Sequence, residues 1–218
     1  MKPRVALVCD WLINPGGAER VLLALHELFP EAPIYTTLFN PKRLEEFKNT
    51  VVHTSFLQKI PGAHKKHYMF LPLMPLAFEQ FDFSAYDIVI SSCHSAAKGI
   101  ITKPQTLHVS YLHSPMRYAW DDSQSYFNSY RIPSLFRLCA RRMLHHIRMW
   151  DRLAADRVDH YLTNSHYVRK RIYKYYRRDA HVIYPPVDTT RFPFDEKPGK
   201  YFLAVGRLTP YKKFDLLV

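Results

Sequence analysis

The stretch that decides the fold is VALVCDWLINPGGAERVLLALHELF, residues 5–29. It opens with five apolar residues that suit a buried strand and ends in a run whose apolar residues recur at helical spacing. Between them lie two adjacent glycines, Gly16 and Gly17, in a chain that has only six glycines. A strand, a glycine turn and a helix in this order predict the first unit of an α/β sheet, with a turn where the backbone can approach a ligand.

The same alternation of short apolar runs and amphipathic helices continues along the chain. Most of the runs lack strict polar alternation, which indicates strands buried on both faces. One helix is predicted from Ser134, a plausible N-cap, to Arg152 and another over residues 168–176. We therefore predict an α/β fold with a doubly wound parallel sheet. The predicted strands cover residues 5–9, 34–39, 51–57, 87–92, 107–112, 160–164 and 181–185.

Two proline-rich stretches indicate the domain organisation. Residues 72–81 indicate a long loop excursion within a domain, whereas residues 184–200 indicate a hinge or linker. After it, YFLAVGRLTPYKKFDLLV predicts a fresh strand, turn and helix. We expect a first domain over 1–186, an interdomain linker over 187–200, and over 201–218 the first strand and helix start of a second domain. The sequence would then be the N-terminal part of a longer protein.

Composition narrows the class of protein and its compartment. The formal net charge of +12 calls for an anionic partner, for which nucleic acid, anionic lipid headgroups and phosphorylated small molecules all qualify. Asp10 interrupts the first apolar run, so no export signal is predicted, and no run is long enough to span a bilayer. The three cysteines are widely spaced and support neither a disulfide framework nor a thiolate metal site. We predict no metal and a cytoplasmic location.

Two places in the sequence suit a phosphate. Gly16 and Gly17 lie where a helix N-terminus offers free N–H groups, although the loop is too long for a dinucleotide-binding fingerprint. Arg207, Lys212 and Lys213 follow the last predicted strand, and a guanidinium with an ammonium suits a diphosphate. Two alternatives remain. The glycines could serve an ordinary turn, and the cations could lie on a solvated basic turn.

A set of motifs runs in one order along the chain: D-W-x(4)-G-G-A-E-R from Asp10, Y-L-H-S-P-M-R-Y-A-W-D over 111–121, T-N-S-x-x-V-x-x-R-I over 163–172, V-I-Y-P-P-V-D over 182–188 and V-G-R-L-T-P-Y-K-K over 205–213. Together they resemble the family 4 glycosyltransferases, and within that family the bacterial mannosyltransferase-like members that build O-antigen or exopolysaccharide units. The resemblance implies the GT-B architecture, in which two Rossmann-like domains face a cleft. The acceptor lies mostly on the N-terminal domain and the nucleotide-sugar mostly on the C-terminal one.

The resemblance also implies roles for individual residues. His113 matches the histidine that contacts the transferred sugar and is our candidate catalytic residue. Gly16 and Gly17 match the loop under the donor diphosphate, and Arg207 and Lys212 match the basic pair that holds it, with Lys213 as the fallback. Further residues of these motifs are expected near the cleft: Asp10, Glu19, Ser114, Arg117, Asn164 and Ser165.

The activity that the resemblance implies is transfer of a hexose, with mannose favoured, with retention of anomeric configuration and without a tightly bound metal. The donor substrate would be a nucleotide-sugar, GDP-mannose or a UDP-sugar. The acceptor would be a glycan or a polyprenyl-linked glycan in polysaccharide biosynthesis. The family's downstream E-x(7)-E element has no counterpart in the 218 residues, so we expect this piece alone to be inactive.

The helix predicted over 134–152 carries two arcs when residues advance by about 100°. One arc is apolar, with Phe136, Cys139, Met143, Ile147 and Trp150, and the other is basic, with Arg137, Arg141, Arg148 and Arg152. One interpretation is a core-facing stripe with a solvated basic side. The other is that the arginines, together with HKKHYMFLPLMPLAF over 64–78, rest on anionic lipid at the inner face of the plasma membrane.

Two alternatives to an enzyme remain open. The first is a non-catalytic module that docks on membranes or glycans. The second is a nucleic-acid-binding protein, because VRKRIYKYYRR over 168–178 interleaves basic and aromatic residues. Against it, Val168, Ile172 and Tyr176 recur every four residues, which indicates an inward-packing helix face. His64 and His67 lack a further ligand at metal-binding spacing and are interpreted as loop residues.

Overall fold

The computed structural model of the chain describes residues 2–121, 134–191, 199–206 and 213–217. Over these ranges, seven strands form one all-parallel sheet, in the spatial order β3-β2-β1-β4-β5-β6-β7. The strands are β1 (Val5–Cys9), β2 (Ile34–Thr36), β3 (Val52–Thr54), β4 (Ile88–Cys93), β5 (Leu107–Leu112), β6 (His160–Thr163) and β7 (His181–Val182). This is the predicted α/β, Rossmann-like doubly wound sheet.

Strand β1 is buried on both faces, as its continuous apolar run predicts. Val5, Leu7 and Cys9 pack into one apolar core, while Ala6 and Val8 pack into the core on the opposite face. The side chains of successive strand residues point to opposite faces, so each face receives every second residue. A strand with no solvated face needs helices on both sides of the sheet.

Helices cover both faces. They are α1 (Gly17–Leu28), α2 (Met74–Glu79), α3 (Arg117–Trp120), α4 (Ser134–Ala154) and α5 (His166–Tyr176). Helix α1 buries Leu22 in the core shared with Leu7. The other helices contribute to the opposite core, α5 through Val168, Ile172 and Tyr176, the stripe that the sequence predicts. No helix among the described residues is long and apolar enough to cross a membrane.

The strand predicted over residues 34–39 is longer than the observed β2. The ladder ends at Thr36 because the backbone N–H of Thr37 donates to the carbonyl of Asp10 at 3.3 Å, and the Thr37 hydroxyl donates to the same oxygen. The chain is thereby drawn toward the carboxyl end of β1. Strands β3 and β7 are likewise shorter than predicted, whereas β1 and β5 match their predicted bounds.

The strand predicted over 201–205 is not present. Residues 202–205 form no ladder with the described strands, and the apolar side chains of Phe202, Leu203 and Val205 are exposed. Residues 214–216 form a short 3-10 turn. A parallel strand depends on neighbours for its hydrogen bonds, and the seven-stranded sheet does not extend to this segment. The predicted division into domains stays a prediction.

Helix α4 is rotated relative to the predicted arcs. Its buried stripe is Leu144, Ile147, Asp151 and Ala154, whereas Cys139 and Met143 are exposed. The four predicted arginines also do not form one solvated face, because Nε of Arg148 donates to the carbonyl of Ala119 at 2.5 Å. The rotation follows from Asp151, a polar residue on the core side that apolar periodicity leaves out.

Asp151 forms a buried ion pair with Lys98, and both side chains are completely excluded from solvent. The other carboxylate oxygen of Asp151 accepts hydrogen bonds from Nε1 of Trp120 and the hydroxyl of Tyr176, each at 2.7 Å. Nζ of Lys98 also donates to the carbonyl of Ser95 at 3.3 Å. One carboxylate therefore joins α3, α4 and α5 to the segment that follows β4.

We expect Asp151→Asn to lower the free energy of unfolding by about 3–5 kcal/mol, because it leaves the Lys98 ammonium buried without a counter-charge. Urea denaturation measures the change. Asp156→Asn is the matched control, since Asp156 pairs with Arg152 at the surface and such pairs contribute about 0–1 kcal/mol. Equal unfolding midpoints for the two variants would contradict the role given to the pair.

Candidate functional site

The order of the strands reverses between β1 and β4, and open α/β sheets bind ligands at the carboxyl ends of the strands around such a point. Polar residues follow four of these strand ends. Asp10 follows β1, His94 follows β4, His113 follows β5 and Asn164 follows β6. Three of them, Asp10, His113 and Asn164, belong to the residues that the sequence predicts for the site.

Asp10 is buried and anchors the segment after β4. Its Oδ2 accepts the backbone N–H groups of His94 at 2.6 Å and Ser95 at 2.9 Å. Its Oδ1 accepts those of Ala96 at 2.6 Å and Ala97 at 2.8 Å. Hydrogen bonds to a charged acceptor are about twice as strong as neutral ones, so this carboxylate fixes the backbone beside the switch point. Asp10 therefore shapes the site from beneath it.

The same carboxylate orients the side chain of His94. Nδ1 of His94 lies 3.1 Å from Oδ2 of Asp10, and a third of the His94 side chain is exposed. The ring of Trp11 lies between two histidines, 4.5 Å from the ring centroid of His94 and 4.9 Å from that of His67. Burial lowers the pKa of His67, which favours its neutral form at neutral pH.

A cavity of about 230 Å³ opens beside these rings. We call it the Trp11 cavity, and it is lined by Trp11, His67, Tyr68, Leu71, His94, Ser114, Pro115, Arg117 and Tyr118. The structure thus brings the predicted residues Ser114 and Arg117 into one cavity with the motif residue Trp11. Its walls combine aromatic faces with nitrogen-bearing side chains, an arrangement that suits a ligand with both apolar and polar parts.

His113 is held from two sides. Its Nε2 lies 2.9 Å from the hydroxyl oxygen of Ser92, and its carbonyl accepts a hydrogen bond from Nδ2 of Asn164 at 3.0 Å. Burial and, to a smaller extent, the nearby His94 lower the pKa of His113 to about 4, against the opposing effect of Asp10. The imidazole is neutral at physiological pH and offers a directed polar group without a charge.

Ser165 accepts a hydrogen bond from the N–H of Val168 at 3.2 Å and so acts as the N-cap of α5.

A residue that the sequence analysis did not single out, Arg171, holds the segment after His113. One guanidinium nitrogen donates to the Ser114 hydroxyl at 2.5 Å, and the other donates to the carboxylate of Asp121. Asp121 also accepts from the hydroxyl of Tyr175, whose ring stacks on Trp120 at 4.9 Å. Arg171 is therefore a structural tie between the motifs over 111–121 and 163–172.

The backbone conformation does not require glycine at position 16 or 17, and the predicted ligand role of both residues stays a prediction. Neither has the positive φ that only glycine adopts readily, and Gly16 is extended, at φ −166°. A Cβ at position 16 would lie 2.7 Å from Oε2 of Glu19, whereas one at position 17 would meet no atom within 4 Å. A side chain at position 16 would therefore displace the mobile end of Glu19, and the space in front of Gly17 is open.

A second cavity, of about 400 Å³, begins at Gly16. We call it the Gly16 cavity. Its walls carry four acidic residues and one basic residue, namely Glu19, Glu27, Glu46, Asp188 and Arg20. This balance does not favour a diphosphate, so the predicted phosphate role of the glycine loop depends on cations from outside the cavity wall.

The predicted basic pair, Arg207 and Lys212, lies outside the described residues. Lys213 is described and has a left-handed backbone, at φ 54°. Over the part of the chain that the structure describes, no cluster of three or more histidine, cysteine or acidic residues could hold a metal ion.

The position of His94 in the sequence also indicates a site residue, although it is not among the predicted ones. His94 directly follows a buried strand, as His113 does, and both residues lie at the carboxyl ends of parallel strands. Lys98 carried no comparable signal, since its partner Asp151 lies on a helix 53 residues away.

The fold and this edge define a Rossmann-like α/β protein with a ligand site at the switch point of its sheet. A sequence model of Glycosyltransferase Family 4 matches residues 15–191, which is most of the chain. The chain therefore belongs to Glycosyltransferase Family 4, and glycosyl transfer is the activity of its class. A comparison with curated proteins gave no match.

The buried histidines predict a dependence of stability on pH. Burial lowers the pKa of His108, like that of His113, to about 4 from 6.5. Between these values the unfolded chain binds more protons than the folded chain, so the free energy of unfolding should fall as the pH falls from 6.5 toward 4. For the fully buried His108 the loss approaches ~3 kcal/mol.

Urea denaturation at a series of pH values from about 7 to about 5 measures the slope. His108→Asn should flatten it, because the variant lacks one of the two groups. His160→Asn, at an exposed position at the start of β6, should leave the slope of the parent unchanged. A slope that His108→Asn does not alter would refute the assignment.

Proposed function

We propose that the chain supplies the acceptor-side domain of a retaining glycosyltransferase. This enzyme moves a hexose, with mannose favoured, from a nucleotide-diphosphate sugar to a glycan or lipid-linked glycan in polysaccharide biosynthesis. The observation that carries the proposal is the convergence of Asp10, His94, His113 and Asn164 at the switch-point edge of a Family 4 chain. The mannose preference rests on the motif resemblance alone.

His113 is the residue that we place against the transferred sugar. Ser92 and Asn164 fix its ring and backbone, and a fixed neutral imidazole can hydrogen-bond a sugar hydroxyl without attracting competing ions. In the reaction the acceptor oxygen forms a bond to the anomeric carbon as the bond to the diphosphate breaks. The leaving diphosphate takes the electron pair of the broken bond and accepts the proton of the acceptor hydroxyl.

The charge of the leaving diphosphate requires positive groups. We assign Arg207 and Lys212 to this role, with Lys213 as the alternative, because preorganised cations stabilise developing negative charge. The open space in front of Gly17 lets the diphosphate approach the N-terminus of α1. Since the Glu19 carboxylate lies over Gly16, its side chain has to turn away as the donor enters.

We expect His113→Ala to reduce turnover by about a hundredfold or more, since it removes a group that orients the transferred sugar. The measurement is sugar transfer by the chain extended through the predicted donor-binding domain, with GDP-mannose and UDP-hexoses as donors. His160→Ala is the control, because His160 is exposed at the start of β6. Normal turnover in His113→Ala would reject the assigned role.

A second candidate function is docking on an anionic membrane, either by the enzyme or as a non-catalytic module. We define the basic apolar surface as the exposed Tyr68, Met69, Leu73 and Leu76 together with Leu138, Arg142, Met143, Met149 and Leu153 of α4. A groove of about 510 Å³ joins its two parts, since Pro72 and Pro75 line it on one side and Met143 lines it on the other. Exposed apolar groups beside arginine suit a lipid surface of negative charge.

This surface differs from the predicted arginine face. Arg148 is bound to a carbonyl, and Arg152 pairs with Asp156 at 2.8 Å. Arg137 and Arg141 lie on the flank of α4 that these two share, whereas Arg142 lines the groove. The surface that we propose for the membrane is therefore centred on Arg142, and peripheral contact at the inner face of the plasma membrane is its expected setting.

The nucleic-acid alternative gains no support from the helix that suggested it. Tyr176 is buried and Tyr175 stacks on Trp120, which leaves Tyr167 and Tyr173 as the exposed tyrosines of the described helix α5. Arg171 is bound to Asp121, and Arg169 pairs with Asp179 at 2.9 Å. Base stacking needs several exposed aromatic rings side by side, whereas Tyr167 and Tyr173 lie about 120° apart around α5.

For the membrane proposal, we expect the double variant Arg142→Glu, Leu153→Ser to bind anionic vesicles at least about tenfold more weakly than the parent chain. Flotation with phosphatidylglycerol and phosphatidylcholine vesicles measures this. The matched control, Lys170→Glu with Tyr173→Ser, makes the same two changes on the exposed side of α5 and should bind as the parent does. Identical binding by both double variants would rule out the basic apolar surface as the contact.

A further inference from the structure

A serine on the neighbouring strand contacts the ring of His113. Ser92 lies in β4, is only 2% exposed, and has its Oγ 2.9 Å from Nε2 of His113. Within the part of the chain that the structure describes, neither side chain has a second hydrogen-bond partner. The chemistry of this one contact therefore decides what the rest of the imidazole can do.

A count of donors and acceptors shows which atom donates. A serine hydroxyl has one proton to donate, and a neutral imidazole has one N–H and one nitrogen lone pair. If Nε2 of His113 donated to Oγ of Ser92, the hydroxyl proton would be buried with no acceptor among the described residues. A buried donor without an acceptor is rare and costly. The Ser92 hydroxyl therefore donates, and Nε2 accepts.

This direction fixes the position of the ring proton. Burial, with a smaller contribution from His94, lowers the pKa of His113 to about 4, so the ring carries a single proton at neutral pH. Because the lone pair of Nε2 is used by Ser92, that proton lies on Nδ1. The described residues supply no partner for Nδ1, and it is not one of their enclosed unpartnered atoms. His113 therefore offers an N–H donor at this edge of the sheet.

The preceding residue makes the same contact in a place that a ligand cannot reach. Oγ of Ser91 lies 2.9 Å from Nε2 of His108, which is completely buried and has its Nδ1 enclosed in protein. Side chains of adjacent strand residues point to opposite faces, so the two serines serve different histidines. The Ser91 pair is therefore a matched control for the Ser92 pair.

We propose that Ser92 is a positioning residue that holds His113 in the Nδ1–H tautomer, so that His113 donates a hydrogen bond to an oxygen of the transferred sugar. This rests on the proposed function, which places His113 against that sugar. It goes further in naming the residue that sets the direction of the contact. Histidine in water favours the Nε2–H tautomer, so without Ser92 the ring would mainly offer a lone pair at Nδ1.

The tautomer can be measured on the chain without a sugar donor. Proton–nitrogen NMR correlation spectra of isotope-labelled histidine rings distinguish a protonated from an unprotonated nitrogen, and the signals that His113→Ala lacks belong to His113. We expect the proton on Nδ1 in the parent and in Ser92→Thr, which keeps the hydroxyl, and mainly on Nε2 in Ser92→Ala. A proton on Nε2 in the parent, or a tautomer that Ser92→Ala does not change, would overturn the proposal.

Sugar transfer by the chain extended through the predicted donor-binding domain links the tautomer to turnover. Ser92→Ala should lower turnover at least about fivefold, and by no less than the fall in the Nδ1–H population, because only that tautomer makes the contact. Ser92→Thr should restore turnover. Ser91→Ala removes the same hydrogen bond from His108 and should leave turnover unchanged. Urea denaturation shows whether each variant is folded. Normal turnover in a folded Ser92→Ala with an altered tautomer would refute the donor role.

This inference and the proposed function fail on different measurements. Normal turnover in His113→Ala rejects the sugar contact, whereas the NMR spectra still report whether Ser92 sets the tautomer. A proton on Nε2 in the parent rejects the assignment of Ser92, even where transfer requires His113. Because the NMR measurement needs no reaction, it decides the tautomer in a chain that transfers no sugar.

Discussion

The site depends on one buried carboxylate, that of Asp10. It sits at the end of β1, where the strand order reverses, and it receives four backbone N–H groups from the segment after β4. A parallel sheet supplies no hydrogen bonds beyond its last ladder pair, so a carboxylate is needed to satisfy these donors and hold the segment. The orientation of His94, the position of Trp11 and the floor of the Trp11 cavity all follow from it.

A second set of charged residues fixes the segments that follow β4 and β5 beside the site. Arg171 on α5 fixes Ser114 and Asp121, which bracket the segment that begins after His113 and contains Arg117. Lys98 and Asp151 join the segment after β4 to α3, α4 and α5. Removing one member of such a buried pair costs more than a typical surface substitution, because the remaining charge is left without a partner. These ties position the site, although none of their side chains needs to touch a substrate.

Local patterns predicted much of this arrangement. The apolar run of β1, the helical spacing in α1 and the stripe of α5 gave the fold class, and the motif resemblance gave His113. The rotation of α4 was not predictable from periodicity, because the polar Asp151 points inward toward a lysine 53 residues away in sequence. Likewise, the closeness of Gly16 to the Glu19 carboxylate is visible only in the three-dimensional structure. Long-range polar pairs and close approaches are what a single sequence leaves undetermined.

The distribution of charge separates the two sides of the proposed reaction. Despite the net charge of +12, the Gly16 cavity is acidic, whereas α4, α5 and the Trp11 cavity carry basic residues. Like charges repel, so this domain by itself does not attract a diphosphate to its glycine loop. In the proposed enzyme, the donor side therefore depends on cations such as Arg207 and Lys212. In the proposed enzyme, a donor binds productively only when those cations face Gly17, which couples donor binding to the approach of the two walls of the cleft.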